Sequence, residues 1–241
     1  MTVLNVAMFG SDELAKSIAK ATDQRDVHTY VHKEYQDEVA KIISIIRPAR
    51  YPERLRPLLN AISAGRVGLI EVNSVDATLG EVLVAFASSS INLGLVVINP
   101  PNDEWIDEEM VKKMLAQAGL SKWEFIANDG VEIRNALYQL MEEIEQELVD
   151  SAASQLVVSI DQYFNVKGIG LVAIGYVQSG TINVHDELHI LPAKASGNTK
   201  SLQVMDDDVK QAKSGDRVGI AIRGAKDCLL YTSPSPRDRY I

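Results

Sequence analysis

The fold of the second half of the chain is decided by the stretch Phe164-Asn-Val-Lys-Gly-Ile-Gly170-Leu-Val-Ala-Ile-Gly175-Tyr-Val-Gln-Ser-Gly180-Thr-Ile-Asn-Val-His-Asp-Glu187. Short apolar runs alternate with glycines there, which predicts β-strands joined by tight turns. The same pattern on both sides predicts strands at Leu156–Ile160, Leu171–Gln178, Glu187–Leu191, Ser201–Met205 and Arg217–Arg223. Glycines at bends are typical of small closed barrels, so we expect residues 155–227 to form a β-barrel domain.

Upstream of this domain, short apolar segments alternate with helical ones. Strands are predicted at Leu4–Phe9, Ile42–Ile46, Val67–Val72, Leu93–Ile98 and Glu124–Ala127. Helices are predicted at Asp12–Thr22, Pro52–Ala64, Ala77–Ser89 and Asp107–Ala118, with a longer one after Gly130. This alternation favours a largely parallel sheet covered by helices, so residues 1–150 are predicted to form an α/β domain.

The composition excludes several classes of protein. The 241 residues include 24 Lys and Arg against 33 Asp and Glu, a net charge of −9, which argues against a DNA-binding protein with a generally basic surface. The apolar runs are too short for membrane helices, and Met1–Gly10 lacks the basic flank and cleavage site of a signal peptide. We therefore expect no membrane association and a cytoplasmic location.

The C-terminal tail differs in character from the rest of the chain. The segment Cys228-Leu-Leu-Tyr-Thr-Ser-Pro-Ser-Pro-Arg-Asp238 resembles a translated transposon-end adapter of the kind used to prepare sequencing libraries. We expect residues 228–241 to be such an artefact and the natural protein to continue beyond Asp227; the alternative is a genuine proline-rich tail. Residues 1–227 then contain no cysteine, which excludes thiol catalysis and cysteine-ligated metals there.

The barrel segment resembles the β-barrel domain of the translational GTPases, in the lineage of elongation factor Tu and the selenocysteine-specific elongation factor. That family shows a phenylalanine, a glycine-rich turn, a strand that ends in glycine and then a hairpin, which Phe164, Gly168-Ile-Gly170, Gly175 and the segment 180–187 match in this chain. His185 stands where the family's hairpin usually has glycine. Its later strands resemble Leu188-His-Ile-Leu-Pro192, Lys200-Ser-Leu-Gln-Val204 and Ala212-Lys-Ser-Gly-Asp-Arg-Val-Gly-Ile-Ala-Ile-Arg-Gly224.

The resemblance implies a fold and a set of partners. The fold would be a P-loop-type three-layer sandwich with a parallel sheet, followed by a translation-factor β-barrel that is truncated near Asp227. The partners would be tRNA or the ribosome, and Arg217, Arg223 and Gly224 are the candidate RNA- or partner-binding residues. His185 and His189 have no third ligand nearby in the sequence, so we expect no metal site there.

The family's first domain binds GTP, and its phosphate-binding loop has the form G-x-x-x-x-G-K-[ST] between a strand and a helix. The counterpart is Gly10-Ser-Asp-Glu-Leu-Ala15-Lys16-Ser17, in which alanine replaces the second glycine and two acidic residues approach the phosphates. The candidate nucleotide-binding residues are therefore Gly10, Lys16 and Ser17, with GTP or GDP and Mg²⁺ as possible cofactors.

The other GTPase motifs are degraded. The counterpart of the magnesium-sensing and water-positioning motif is Arg47-Pro-Ala-Arg-Tyr51, which has neither the aspartate nor the histidine. The guanine-reading motif N-K-x-D corresponds to Asn99-Pro-Pro-Asn102, of which only Asn99 matches. A second segment that begins with an aspartate, Asp76-Ala-Thr-Leu-Gly80, is not needed as a counterpart of the magnesium-sensing motif, because helix capping explains Asp76. The segment from Ser17 to Arg47 is too short for the family's first switch loop, and no residue is left as a credible catalyst.

Three functions remain open from the sequence. The leading one is an elongation-factor-like protein with a pseudo-GTPase domain that acts as a tRNA- or ribosome-binding module. The alternative is a functional GTP-binding factor in which Lys16 and Ser17 still hold phosphate and magnesium while a partner assists hydrolysis. The third is an interaction protein that keeps the architecture for assembly with another subunit.

Overall fold

A computed structural model describes residues 2–24, 27–36, 39–191, 195–204 and 207–225. The chain divides into two compact units, Met1–Gln146 and Glu147–Ile241, which are described separately. The adapter-like tail, residues 228–241, lies outside the described residues.

The first unit contains a seven-stranded sheet in the order β2-β3-β4-β1-β5-β6-β7. Strands β4, β1, β5, β6 and β7 are parallel to one another, whereas β3 is antiparallel to both β2 and β4. The strands are β1 Thr2–Phe9, β2 Lys20–Gln24, β3 Val27–Gln36, β4 Val39–Pro48, β5 Val67–Val72, β6 Gly94–Ile98 and β7 Glu124–Ile126. The helices of this unit are α1 Asp12–Ile18, α2 Leu55–Ala64, α3 Ala77–Ala87, α4 Glu108–Ala118 and α5 Gly130–Glu143, with a 3-10 turn at Pro101–Asp103. Helix α6, Glu145–Ala152, begins in the first unit and continues into the second.

Helices cover both faces of this sheet. Helices α2, α3 and α4 share one apolar core with Ala7 of β1. On β1, Leu4 points to the opposite face because side chains alternate along a strand. Leu4 is in register with Ile43 on β4, and Ile43 with His32 on β3, so these three side chains lie on the same face of the sheet. The His32 ring contacts Tyr138 of α5. Helix α5 therefore covers the second face, and the predicted three-layer α/β fold is confirmed.

Two paired glycines accommodate the largest side chain of the first core. Gly68 and Gly94 are neighbours on adjacent strands, and a Cβ atom at either would lie within 2.0–2.5 Å of the Trp123 ring. Trp123 also packs edge-on against Phe86, with ring centroids 5.1 Å apart. The absence of side chains at these two positions lets the indole lie flat on the sheet.

The sequence prediction was wrong between residues 19 and 36. The helix predicted at Asp12–Thr22 ends at Ile18, and Lys20–Gln24 forms an edge strand. Pairing with β3 overrides the local helical pattern: Ala21 is in register with Tyr30, and the Thr22 hydroxyl bonds to the Thr29 carbonyl at 3.1 Å. Strand β3 was not predicted at all; it is polar through much of its length and is held by hairpin pairing with its sequence neighbours β2 and β4.

The second unit is antiparallel throughout its described sheets. Its main sheet has the order β11-β12-β15-β9-β8, with β13 paired to β12, and β10 and β14 form a separate pair. These strands are β8 Val157–Val166, β9 Gly170–Ser179, β10 Thr181–Asn183, β11 Glu187–Ile190, β12 Ala195–Val204, β13 Asp207–Val209, β14 Gln211–Lys213 and β15 Arg217–Arg223. The alternate, inward-facing residues of β9, β12 and β15 form one apolar core. His185 occupies the hairpin turn with φ 79°, a conformation that glycine adopts with less strain.

No helix among the described residues is long and apolar enough to cross a membrane.

Candidate functional site

Most of the phosphate loop that was predicted at Gly10–Ser17 is helical, because α1 covers Asp12–Ile18. Strand β1 ends at Phe9 and helix α1 begins at Asp12, so only Gly10 and Ser11 connect them. Ser11 caps the helix, because its hydroxyl accepts the Leu14 N–H at 3.1 Å. A phosphate loop needs several consecutive N–H groups turned toward one point, whereas N–H groups inside a helix bond to the preceding turn. The Leu14 N–H is used by the Ser11 hydroxyl and the N–H groups from Ala15 onward are used within the helix, so a cradle that included them would require α1 to unwind.

Lys16 lies on the outer surface of α1. Its ammonium pairs with Asp12 one turn earlier at 2.5 Å, and its side chain is 55% exposed. The Tyr30 hydroxyl donates a second bond to Asp12. The bonds from Lys16 and Tyr30 lower the pKa of Asp12, while burial and the bond to Asp12 raise the pKa of Tyr30 to about 12. The charge of Lys16 is thus balanced within its own helix.

Ser17 is also engaged within the fold. Its hydroxyl donates to the Leu14 carbonyl at 2.7 Å. The backbone beside it is covered by Gly130 at the start of α5, where a Cβ atom would lie 2.4 Å from the Ser17 carbonyl oxygen. Arg134 binds this end of α1, donating to the Ser17 and Ile18 carbonyls at 3.2 and 2.9 Å. The Ser17 hydroxyl therefore has a structural partner where the family's serine holds magnesium.

A buried carboxylate lies at the junction of β1 and α1. Glu71 is 1% exposed and projects from β5, on the face opposite Ile70 and its apolar core. One carboxylate oxygen accepts the Ser11 N–H at 2.5 Å, and the other accepts the Asn99 side-chain amide at 2.6 Å. Gly10 is required here because a Cβ atom would lie 2.8 Å from the Glu71 Cβ. The structure therefore brings Gly10 and Asn99 together around Glu71, and it places Lys16 and Ser17 elsewhere.

The sequence analysis missed Glu71, although a signal was present. Strand β5 reads Val-Gly-Leu-Ile-Glu-Val, so a single charged residue interrupts an apolar strand whose six residues are all buried. A charge in a fully buried strand needs a specific partner, because burying an unpaired charge is costly. Only the positions of the neighbouring strand ends identify that partner.

The degraded magnesium-sensing segment is used structurally. The Arg47 guanidinium donates to the Gly10 carbonyl at 2.6 Å and so holds the β1–α1 turn. The Tyr51 hydroxyl donates to Glu81 at 3.0 Å, and burial together with this bond raises the pKa of Tyr51 to about 12. Asp76 caps α3 by accepting the Leu79 N–H at 3.0 Å, which confirms the capping interpretation.

No group of three or more histidine, cysteine, aspartate or glutamate side chains able to hold a metal ion occurs among the residues that the structure describes. His189 instead lies 3.4 Å from the Ser196 hydroxyl.

The three candidate RNA-binding residues of the second unit separate into two environments. Arg217 is largely buried, with its guanidinium 3.5 Å from the Asp161 carboxylate and over the Tyr176 ring at 5.6 Å. This pairing ties β15 to β8 and β9, so Arg217 contributes to the packing of the sheet. Arg223 and Gly224 lie at the exposed end of β15.

An open groove of about 390 Å³ surrounds Arg223 and Gly224. Its wall includes Lys200, whose ammonium donates to the Ile169 carbonyl at 3.3 Å. Gly224 has φ 85°, so the chain turns sharply there without a side chain. The groove combines two cationic side chains with exposed backbone and an apolar floor formed by Leu171 and Ile222.

Comparison with known proteins agrees with this architecture. Residues 170–229 match the sequence profile of elongation factor Tu domain 2. The chain is 32% identical over 225 residues to the uncharacterized protein MJ0325 of Methanocaldococcus jannaschii, covering 93% of this chain and 68% of that relative. It is also 32% identical over 149 residues to the selenocysteine-specific elongation factor of the same organism, but spans only 31% of that protein.

Two solved structures share the fold. A bacterial selenocysteine-specific elongation factor superposes with a TM-score of 0.69 at 17% identity, covering 93% of this chain and 42% of that one. Elongation factor SelB from Methanococcus maripaludis, in complex with the GTP analogue GppNHp, gives 0.69 at 22% identity, covering 97% and 54%. The chain thus spans about half of each solved elongation factor or less.

Proposed function

We propose that this chain, which belongs to the family of translational GTPase-like proteins that includes MJ0325, is an RNA-binding module whose first unit is a pseudo-GTPase. Its partner would be tRNA or the ribosome, and its place of work the cytoplasm. GTP, GDP and Mg²⁺ would not be required as cofactors. Its relatives include the selenocysteine-specific elongation factor and elongation factor 1-alpha.

The observation that carries the loss of nucleotide binding is the start of helix α1 at Asp12. Gly10 and Ser11 are too short a connection to wrap a phosphate, and Lys16 is paired with Asp12 on the helix surface. Binding a nucleotide would require α1 to unwind by more than a turn. It would break the ion pair between Lys16 and Asp12 and the capping bond from the Leu14 N–H to Ser11. Nucleotide affinity would have to offset that cost before any net binding appeared.

The missing catalytic groups support the same conclusion. At the end of β4, Arg47 supplies a cation bonded to the Gly10 carbonyl where the family has a magnesium-holding aspartate. Tyr51, in the position of the water-positioning histidine, is bonded to Glu81. Neither residue offers a carboxylate for magnesium or a base for water.

The groove at the end of β15 supports RNA binding. Arg223 and Lys200 place two positive charges beside exposed backbone on a chain whose net charge is −9. Phosphates of a single-stranded RNA end would meet these cations in the groove, while the acidic remainder of the surface would repel non-specific RNA. Binding would therefore be local and would weaken as salt rises.

Calorimetric titration of the chain with GTP and GDP, with and without Mg²⁺, tests the nucleotide half of the proposal. We expect no binding at millimolar nucleotide and the same result for Lys16→Ala. Binding that is lost in Lys16→Ala would overturn the pseudo-GTPase interpretation and restore the functional GTP-binding alternative.

Fluorescence anisotropy with labelled tRNA and co-sedimentation with ribosomes test the RNA half. Arg223→Ala is expected to weaken binding about tenfold, the scale for losing one phosphate contact in a small site. Arg56→Ala is the matched control, because Arg56 is an exposed arginine in the first unit and its loss should leave RNA affinity unchanged. If the wild-type chain binds neither tRNA nor ribosomes, the interaction-protein hypothesis replaces this one.

A further inference from the structure

We propose that the first unit carries its own anionic ligand: the Glu71 carboxylate occupies the junction of β1 and α1, where a GTPase holds the nucleotide phosphate. This inference rests on the proposed pseudo-GTPase function and deepens it, because it names what fills the site. Nothing in the family resemblance assigns a role to Glu71.

The first argument is the set of donors that converge on Glu71. Its two oxygens accept from groups on different elements, the Ser11 N–H at 2.5 Å and the Asn99 amide at 2.6 Å. The Ser11 N–H precedes the first turn of α1, where helix N–H groups lack partners within the helix. Asn99 is the one residue retained from the guanine-reading motif. A carboxylate is an acceptor-only anion, as phosphate oxygens are, so it can satisfy the Ser11 N–H at the start of α1 as a phosphate oxygen would.

The second argument is space. Glu71 is 1% exposed, and an ideal Cβ at Gly10 would lie 2.9 Å from one of its carboxylate oxygens. A second anion at this junction would therefore meet both a steric barrier and like charge at short range. The turn itself is held by Arg47, which binds the Gly10 carbonyl at 2.6 Å.

The third argument is the position of Glu71 in the sheet. It lies on β5, between β1, which leads to Ser11, and β6, which ends just before Asn99. Ligands of open α/β sheets bind at the carboxyl ends of the strands. In this chain one side chain joins the ends of three adjacent strands, so that edge is held in a single arrangement without an external ligand.

Chemical rescue of Glu71→Ala tests the proposal. The substitution should lower the Tm by about 5–10 °C, because it leaves buried donors unpaired around a small cavity. Formate, the carboxylate that fits such a cavity, should restore part of this loss, whereas chloride at the same ionic strength should not. Asp76→Ala is the matched control: Asp76 also accepts a helix N–H but is exposed, so formate should have no specific effect.

Rescue by formate no greater than that by chloride would overturn the proposal. Should Glu71→Ala fail to fold, Glu71→Gln keeps the side-chain volume but removes the charge and replaces one acceptor oxygen with an NH2 donor. A Tm equal to or above that of the wild type would then overturn the proposal.

These outcomes are distinguishable from failure of the proposed function. Absence of RNA binding would leave the rescue result standing. Absence of rescue in a chain that binds no nucleotide would refute the role of Glu71 alone. Lys16-dependent binding of nucleotide to the wild type would refute both.

Discussion

Asn99→Asp is the sharpest perturbation of the buried polar cluster formed by Ser11, Glu71 and Asn99. The Asn99 amide donates to Glu71 at 2.6 Å, so the substitution replaces a donor with a carboxylate at hydrogen-bond distance from another carboxylate. At neutral pH the folded protein must then either hold two adjacent charges or retain a proton that the unfolded chain releases. Both routes destabilise the native state relative to the unfolded one.

The magnitude follows from the geometry. Two unit charges about 4 Å apart repel by about 4 kcal/mol at an effective dielectric constant of about 20. We therefore expect Asn99→Asp to lower the free energy of unfolding by about 3 kcal/mol at pH 7, or the Tm by about 6–12 °C. Because the folded pair binds a proton more tightly than the unfolded chain, the difference from wild type should shrink as the pH falls toward about 5.

Urea unfolding of the wild type, Asn99→Asp, Glu71→Gln and the double variant measures this effect. In the double variant, the new glutamine side chain can accept the Ser11 N–H and donate to the new aspartate, so both bonds are restored and stability should return to within about 1 kcal/mol of wild type. Asn183→Asp is the control, since Asn183 also faces a carboxylate, Asp186, but Asn183 is exposed and Asp186 only half-buried. An Asn99→Asp variant as stable as the wild type at pH 7, or one that Glu71→Gln fails to rescue, would refute the reasoning.

Three further outcomes are expected. Gly68→Ala should lower the free energy of unfolding, measured in urea, by at least about 2 kcal/mol, because the new Cβ would lie 2.0 Å from the Trp123 ring. Gly80→Ala, inside α3, is the control: its new Cβ would have no atom within 4 Å, so it should raise the free energy of unfolding by about 0.5–1 kcal/mol. Tyr30→Phe should lower stability at pH 8, and its difference from wild type should narrow between pH 10 and 12, because the raised pKa of Tyr30 contributes stability below pH 10 that is lost as the pH rises through about 12; equal slopes of stability against pH would contradict this. Lys16→Ala should leave the Tm unchanged in a thermal melt, since the ion pair between Lys16 and Asp12 is exposed. A marked fall in Tm would show that this ion pair stabilises the fold.

Five of the eight described β-strands of the second unit could be located from the sequence because their signals are local. The predicted strand Arg217–Arg223 has the observed bounds, and the predictions at Leu171–Gln178 and Glu187–Leu191 differ from β9 and β11 by no more than one residue at either end. The other two predicted strands cover only parts of β8 and β12, and the short strands β10, β13 and β14 were not predicted. Turns, glycines and two-residue alternation act over short distances, so they survive without knowledge of the neighbours. The functional assignment of single residues did not follow as directly: Arg217 and Arg223 lie six residues apart on one strand, yet one is paired inside the sheet and the other lines a groove.

The candidate nucleotide site shows the limit of motif matching. The order Gly10, Lys16, Ser17 matches a phosphate-binding loop, but that match does not specify where the helix begins. The helix begins at Asp12, where the Ser11 cap and the Glu71 carboxylate satisfy the first donors. That choice depends on a residue about sixty positions away in the sequence, which no local pattern contains.

The sequence by itself determined the α/β unit, the antiparallel unit that follows and their relationship to the translational GTPases, because apolar periodicity and glycine spacing are properties of neighbouring residues. Tertiary structure alone decided that Lys20–Gln24 is a strand and that Lys16 faces outward. It also decided that Glu71 lies at the carboxyl ends of the strands between Ser11 and Asn99. The Glu71 contacts arise where strands distant in sequence are brought side by side, and the cost of burying a charge without partners then selects that arrangement.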